Sequence, residues 1–188
     1  MMQKLWQKKL KLKYSKDVFD IVVFGSSVLE SKIPNDLDIA VIFDKIQLKN
    51  QLNQAQEIKK QIQKNTTLPV HIKSFDLYSL FDKSNFAKEN ILFYGKSLIS
   101  NDYFSKKLGF IPKMQIHYSL KNLEKKDKIR FNYMLNGKKQ NYGLIKKYGG
   151  ELLKPGLVEI PPEFEKIFID SIKKITSEFK IQKVLYKF

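Results

Sequence analysis

The residues best suited to chemistry lie in the first quarter of the chain: Gly25, Ser26 and Ser27, then Asp36 and Asp38, with nine residues between Ser26 and Asp36. In the run DLDIAVIF, Asp36, Asp38, Ala40 and Ile42 alternate with Leu37, Ile39, Val41 and Phe43. Side chains two apart in a strand share a face, so both carboxylates point the same way, roughly 7 Å apart along the strand. Such a pair suits one or two Mg²⁺ ions, which favour oxygen ligands. Gly25 closes the preceding apolar run IVVF, where a missing side chain lets phosphate oxygens approach the backbone. Ser26 or Ser27 adds hydroxyl and amide donors there. A divalent cation, a cradle of donors and an aligned acceptor hydroxyl are what phosphoryl transfer from a nucleoside triphosphate requires.

Positioning these groups falls to strands and helices in alternation. The β-branched run from Asp20 to Phe24 reads as a buried strand ending at GSS, and DLDIAVIF as a second strand after Pro34. Residues 46–64 place Leu48, Leu52, Ala55, Ile58 and Ile62 at helical spacing, which predicts an amphipathic helix packed on the sheet. TTLPVHIKSF reads as the next strand, entered through Pro69. DLYSLF and NFAKENILFYG read as two short helices, the second closed by Gly95, with Lys96–Ile99 as a short last strand. This alternation predicts an α/β (α+β) domain on a mixed sheet over residues 20–100, behind a basic arm at 1–19 that carries Lys4, Lys8, Lys9, Lys11, Lys13 and Lys16. Beyond residue 100 the pattern changes to a mainly helical module, 101–188. Helices are expected over MQIHYSLKNLEKKDKIRFNYML and NYGLIKKYGG, and a last one from Pro162 to Lys180 through Phe164, Phe168, Ile172, Ile175 and Phe179.

The combination of an apolar strand, Gly-Ser, a short spacer and D-x-D on a second apolar strand resembles the polymerase-beta-like nucleotidyltransferases, especially their minimal single-domain members. The helix FAKENILFYGKSLI, with Ile91, Leu92, Gly95, Lys96 and Leu98, resembles the segment that closes the minimal domain. The resemblance covers roughly residues 20–100. It implies a nucleotidyltransferase-type mixed sheet flanked by helices. It also implies Mg²⁺ or Mn²⁺ on Asp36 and Asp38, a triphosphate, ATP foremost, held at Gly25, Ser26 and Ser27, and transfer of its nucleoside monophosphate to a hydroxyl. RNA, a protein side chain or a small molecule would be the acceptor. The chain departs from the family where a third carboxylate follows a Pro-Val pair: Leu68, Pro69 and Val70 are followed by His71. A neutral imidazole serves as a general base near pH 7 but is a poor ligand for magnesium, better for manganese or zinc. His71 equally reads as an ordinary strand residue. Asp76 has the opposite strand parity to His71.

Composition bounds the alternatives. Hydrophobic residues make up 43% of the 188, and aromatic residues 13%, enough to bury a core. Absence of cysteine excludes disulfides, thiolate metal sites and a cysteine nucleophile. No apolar run approaches a membrane span, so a soluble, cytoplasmic protein with no membrane partner is expected. The net charge of +16 is uneven, with +10 on residues 101–188. Lys121, Lys125, Lys126, Lys128 and Arg130, with Lys138 and Lys139 shortly after, form the densest cluster. It reads either as a solvated helix face or as a phosphate track for RNA or DNA. Arg130 is the only arginine, and lysine binds phosphate more readily than it reads base edges. Tyr133, Tyr142 and Tyr148 read either as stacking platforms or as core. Two further readings are a catalytically weakened fold acting as a nucleic-acid-binding module, and an antitoxin-like partner of a small helical protein.

Overall fold

In the computed structural model, which describes residues 7–8, 10–30, 34–138 and 141–188, the chain mixes helices and strands and divides into two compact units, 1–110 and 111–188. The first unit runs β1 (Val18–Phe24), a 3-10 turn at Gly25–Val28, β2 (Leu37–Phe43), α1 (Leu48–Gln63), β3 (Val70–Asp76), α2 (Leu77–Phe81), α3 (Lys88–Tyr94), β4 (Lys96–Ser97) and α4 (Phe104–Lys107). Its sheet has the order β3-β2-β1-β4 and is mixed: β2 and β3 are parallel, joined across α1, while β1 pairs antiparallel with β2 and with β4.

Alternation decides what each face does. Val22, Phe24, Ala40 and Ile42 point to one side, where Leu80 of α2, Ile91 of α3 and Phe104 of α4 close a core over them. Ile21, Val23, Ile39 and Val41 are fully buried on the other side. Each such side chain contributes about 1.5–3 kcal/mol on burial. The helix predicted at 46–64 forms, but its inward stripe is Gln51, Ala55, Ile58 and Ile62, whereas Leu48 and Leu52 are 65% and 50% exposed. Gln51 tolerates burial because its amide donates to the Ile46 carbonyl at 3.1 Å.

The expected N-terminal arm is shorter than predicted, because Val18 and Phe19 already belong to β1. Its last residues lie along α1: Lys13 exchanges two hydrogen bonds with the Gln61 side chain, at 2.7 and 2.8 Å, and the Ser15 hydroxyl donates to Gln54 at 2.7 Å. Lys4 and Lys9 lie outside the described residues.

The second unit corrects the expectation of a mainly helical module. Its elements are β5 (Phe110–Tyr118), α5 (Lys125–Asn136), β6 (Gly137–Lys138), β7 (Asn141–Tyr142), α6 (Leu144–Lys147), β8 (Glu151–Lys154), β9 (Leu157–Ile160), α7 (Glu165–Lys173) and β10 (Phe179–Lys187). Four of the strands form a sheet in the order β10-β5-β9-β8, and β6 pairs with β7 in a two-stranded sheet. Pro112, Met114 and Ile116 are buried while Lys113, Gln115 and His117 are not, the period of a strand, so the helix expected from Met114 begins only at Lys125. The last helix ends at Lys173, short of Lys180. Thr176 there accepts a hydrogen bond from the Glu178 amide at 3.1 Å, and such local side-chain bonding competes with helix continuation. Ile175 and Phe179 therefore fall outside α7. Among the described residues no helix is long and apolar enough to cross a membrane.

Candidate nucleotide and metal site

The groups singled out in the first unit meet at one end of its sheet. Antiparallel pairing sets Phe24, the last residue of β1, opposite Asp38, and parallel pairing sets Asp38 beside His71. Residues level across a sheet share a face, so the Asp38 carboxylate and the His71 ring project from the same side as Ala40 and Ile42, beyond the edge of the core. Gly25 follows Phe24 directly, with φ +73°. A Cβ at that position would lie 2.6 Å from Oδ2 of Asp38, so the loop backbone and the carboxylate are in close approach, and only glycine fits both the conformation and the space.

Asp36 precedes β2 by one residue, and its Oδ2 stands 3.8 Å from Nε2 of His71, both side chains open to solvent. That separation is an electrostatic contact rather than a hydrogen bond. Partial burial pushes the Asp38 carboxyl above its ordinary value and the neighbouring Asp36 charge pushes it further, while His71 and Lys73 pull it back. Lys73 was not singled out from the sequence. It lies on β3 level with Ala40, one step along the same face from His71, and its parity with His71 was the available signal.

The loop serines divide. Ser27 is buried and its hydroxyl donates to the Phe24 carbonyl at 3.0 Å, so it anchors the turn and is not a free phosphate donor. Ser26 is half-buried, and among the described residues no hydrogen bond engages its hydroxyl. Asp76 lies at the far end of β3 and caps α2: its Oδ1 accepts from the Ser79 amide at 2.7 Å while its own amide donates to the Ser79 hydroxyl at 3.0 Å. That carboxylate is committed to the cap.

Among the described residues no group of three or more His, Cys, Asp or Glu side chains is arranged to hold a metal ion. Asp36 and Asp38 nevertheless suit Mg²⁺ or Mn²⁺, because magnesium binds through one or two carboxylates and takes its other ligands from water and substrate phosphates. The raised Asp38 carboxyl beside a second carboxylate is the charge arrangement a cation relieves. The site is an open sheet end. A shallow recess lies elsewhere, lined by Lys13, Tyr14, Ser15, Gln54, Glu57 and Ile58, and contains none of these residues.

In the second unit, Lys121, Lys125, Lys126, Lys128, Arg130 and Lys138 are all exposed, on α5 and its flanks. Lys139 lies outside the described residues. No protein-family model matches the chain, and neither a curated protein nor a solved structure is significantly similar to it.

Proposed function

We propose that the first unit is a metal-dependent nucleotidyltransferase, moving a nucleoside monophosphate from a triphosphate such as ATP to a hydroxyl acceptor. The observation that carries this reading is the close approach of Gly25 to Asp38 at the strand end that also bears Asp36 and His71. Asp36 and Asp38 would hold Mg²⁺ or Mn²⁺, which supplies neutralisation of the triphosphate charge. Gly25 and the Ser26 hydroxyl bind phosphate oxygens, with Lys73 as a counter-charge on the same face. The acceptor oxygen bonds to the α-phosphorus, the bond from that phosphorus to the bridging oxygen breaks, and pyrophosphate leaves. The hydroxyl proton passes to the His71 imidazole.

The test is incubation with labelled triphosphates, Mg²⁺ or Mn²⁺ and pooled cellular RNA and protein. Transfer of label is expected, and Asp36→Ala and Asp38→Ala should each abolish it while leaving the melting temperature within a few degrees, since neither carboxylate belongs to the buried core. Transfer retained in either purified variant, or an absence of metal-dependent nucleotide binding by calorimetry in the native chain, would refute the assignment.

A further inference from the structure

The three tyrosines singled out from the sequence, Tyr133, Tyr142 and Tyr148, separate once their surroundings are known. Tyr148 packs against Phe164 and Phe168, with ring centroids 4.9 and 6.2 Å away. Tyr133 and Tyr142 instead remain 46% and 67% exposed. On α5, Phe131 and Leu135 are buried, which turns Lys126, Ile129, Arg130 and Tyr133 outward at helical spacings of three and four. Ile129 is itself 44% exposed, so an apolar and an aromatic side chain stand in a stripe that also carries two cations. Strands β6 and β7 continue the surface. Lys138 holds its ammonium 5.0 Å from the Tyr133 ring centroid, and Lys146 of α6 holds its own 4.3 Å from that of Tyr142.

Charge over this stretch is one-sided. Residues 121–147 contain nine lysines and arginines against two acidic residues, Glu124 and Asp127. Both acids sit at the start of α5, where the helix dipole favours them, and leave the outward stripe free of negative charge. Exposed rings with adjacent ammonium groups are the elements that bind single-stranded nucleic acid: bases stack on the rings and the cations follow the phosphates. A duplex keeps its base faces stacked inside and offers nothing to the rings. An acidic peptide would use the cations alone and leave Tyr133, Tyr142 and Ile129 unexplained.

We propose that the outward face of α5, strands β6 and β7, and α6 bind single-stranded nucleic acid, stacking bases on Tyr133 and Tyr142 while Lys126, Arg130, Lys138 and Lys146 contact phosphates. The proposal does not rest on the transferase reading, and its test excludes metal and triphosphate so that the two fail separately. Fluorescence anisotropy of the full chain in EDTA is read with labelled oligouridylate, oligothymidylate and a duplex, each of about 12 nucleotides. Both single strands should bind more tightly than the duplex. Tyr133→Ala and Tyr142→Ala should each weaken binding by about tenfold, and Tyr133→Phe and Tyr142→Phe should restore it. Lys138→Gln and Lys146→Gln should each reduce the slope of log affinity against log salt by about 0.7. Oligodeoxyuridylate, which differs from oligouridylate only at the 2′-hydroxyl, reports whether that group contributes. Equal binding of duplex and single strand, wild-type affinity in both alanine variants, or equal competition by polyglutamate would overturn the proposal.

Discussion

Replacing Gly25 by alanine tests whether the loop and the carboxylate form one site. The added methyl would meet Oδ2 of Asp38 at 2.6 Å, while Cγ and Cβ of that residue, at 3.5 and 3.6 Å, are at ordinary contact distance. Restoring a contact of 3.4 Å therefore requires the carboxylate oxygen alone to retreat by about 0.8 Å, displacing an atom that would bind metal. The backbone adds its own strain, since φ +73° costs an L-residue about 1–2 kcal/mol. Gly109 supplies the control: its φ is +84°, yet a Cβ there would meet nothing within 4 Å. Gly25→Ala and Gly109→Ala should both lose about 1–2 kcal/mol in urea melts and about 2–8 °C in Tm. Only Gly25→Ala should lose metal-dependent nucleotide binding by calorimetry, and transfer should fall about 10²-fold, the effect of a reacting group misplaced by about 1 Å. Equal nucleotide affinities in the two variants would show that Gly25 is a turn residue and nothing more.

Three further outcomes follow from charges on this unit. His71→Asp places a third carboxylate level with Asp38, and like charge pushes the Asp38 carboxyl still higher; the pH below which metal-dependent nucleotide binding is lost should rise, read by calorimetry so that loss of the His71 base does not enter, and an unmoved midpoint would separate Asp38 from the metal site. Lys73→Ala should raise KM for the triphosphate about tenfold with kcat little changed, because a counter-charge to substrate phosphates acts before and during reaction alike; a fall in kcat alone would contradict that role. Asp20 is fully buried, its Oδ1 accepting from the Ser97 hydroxyl at 2.7 Å and the Ile21 amide at 2.7 Å, with Lys107 3.7 Å from Oδ2. Burial is the dominant influence and raises this carboxyl above its ordinary value, so the fold binds the proton more tightly than the unfolded chain does. That contribution is complete below the ordinary range, about pH 4, and is lost as pH rises through the raised value. Asp20→Asn should flatten the fall in stability as pH rises above about 4 in urea melts, and a slope equal to that of the native chain would exclude Asp20 as its source.

Legibility from sequence followed the strength of the local pattern. The strands carrying Gly25 and Asp38 could be read because the run from Ile21 to Phe24 is continuous and β-branched and DLDIAVIF alternates without a break, features that propensity and burial favour together. The level of His71 beside Asp38 depended on register, which no strand carries within itself. Loss of the Ser27 hydroxyl to the Phe24 carbonyl depended on how the turn closes. In the second unit, the alternation across Pro112, Met114 and Ile116 was present but adjoined a lysine-rich helical pattern, and the longer period was extended over it. β10 gave no comparable signal, because at the edge of its sheet nearly every side chain is exposed and a one-sided apolar period is absent. The helix α1 shows the opposite failure: leucines at helical spacing marked the element correctly, yet Gln51 took an inward place while Leu48 and Leu52 stayed in water.

The balance of charge around Asp38 bears on what such a site would select. A third carboxylate in place of His71 would strengthen the attraction for a free divalent cation, and it would also repel a triphosphate. With His71 and Lys73 on β3, the two carboxylates face two basic side chains across the same strand pair, and both basic groups pull the Asp38 carboxyl downward against burial and Asp36. Such a site gains little from a bare cation. It gains most from a cation already carried on phosphate, because the carboxylates then find the cation and Lys73 finds the phosphates at once. On the proposed reading, exchange of a carboxylate for a histidine therefore shifts recognition from the metal toward the metal–triphosphate complex, and Lys73 is the residue that makes the shift favourable.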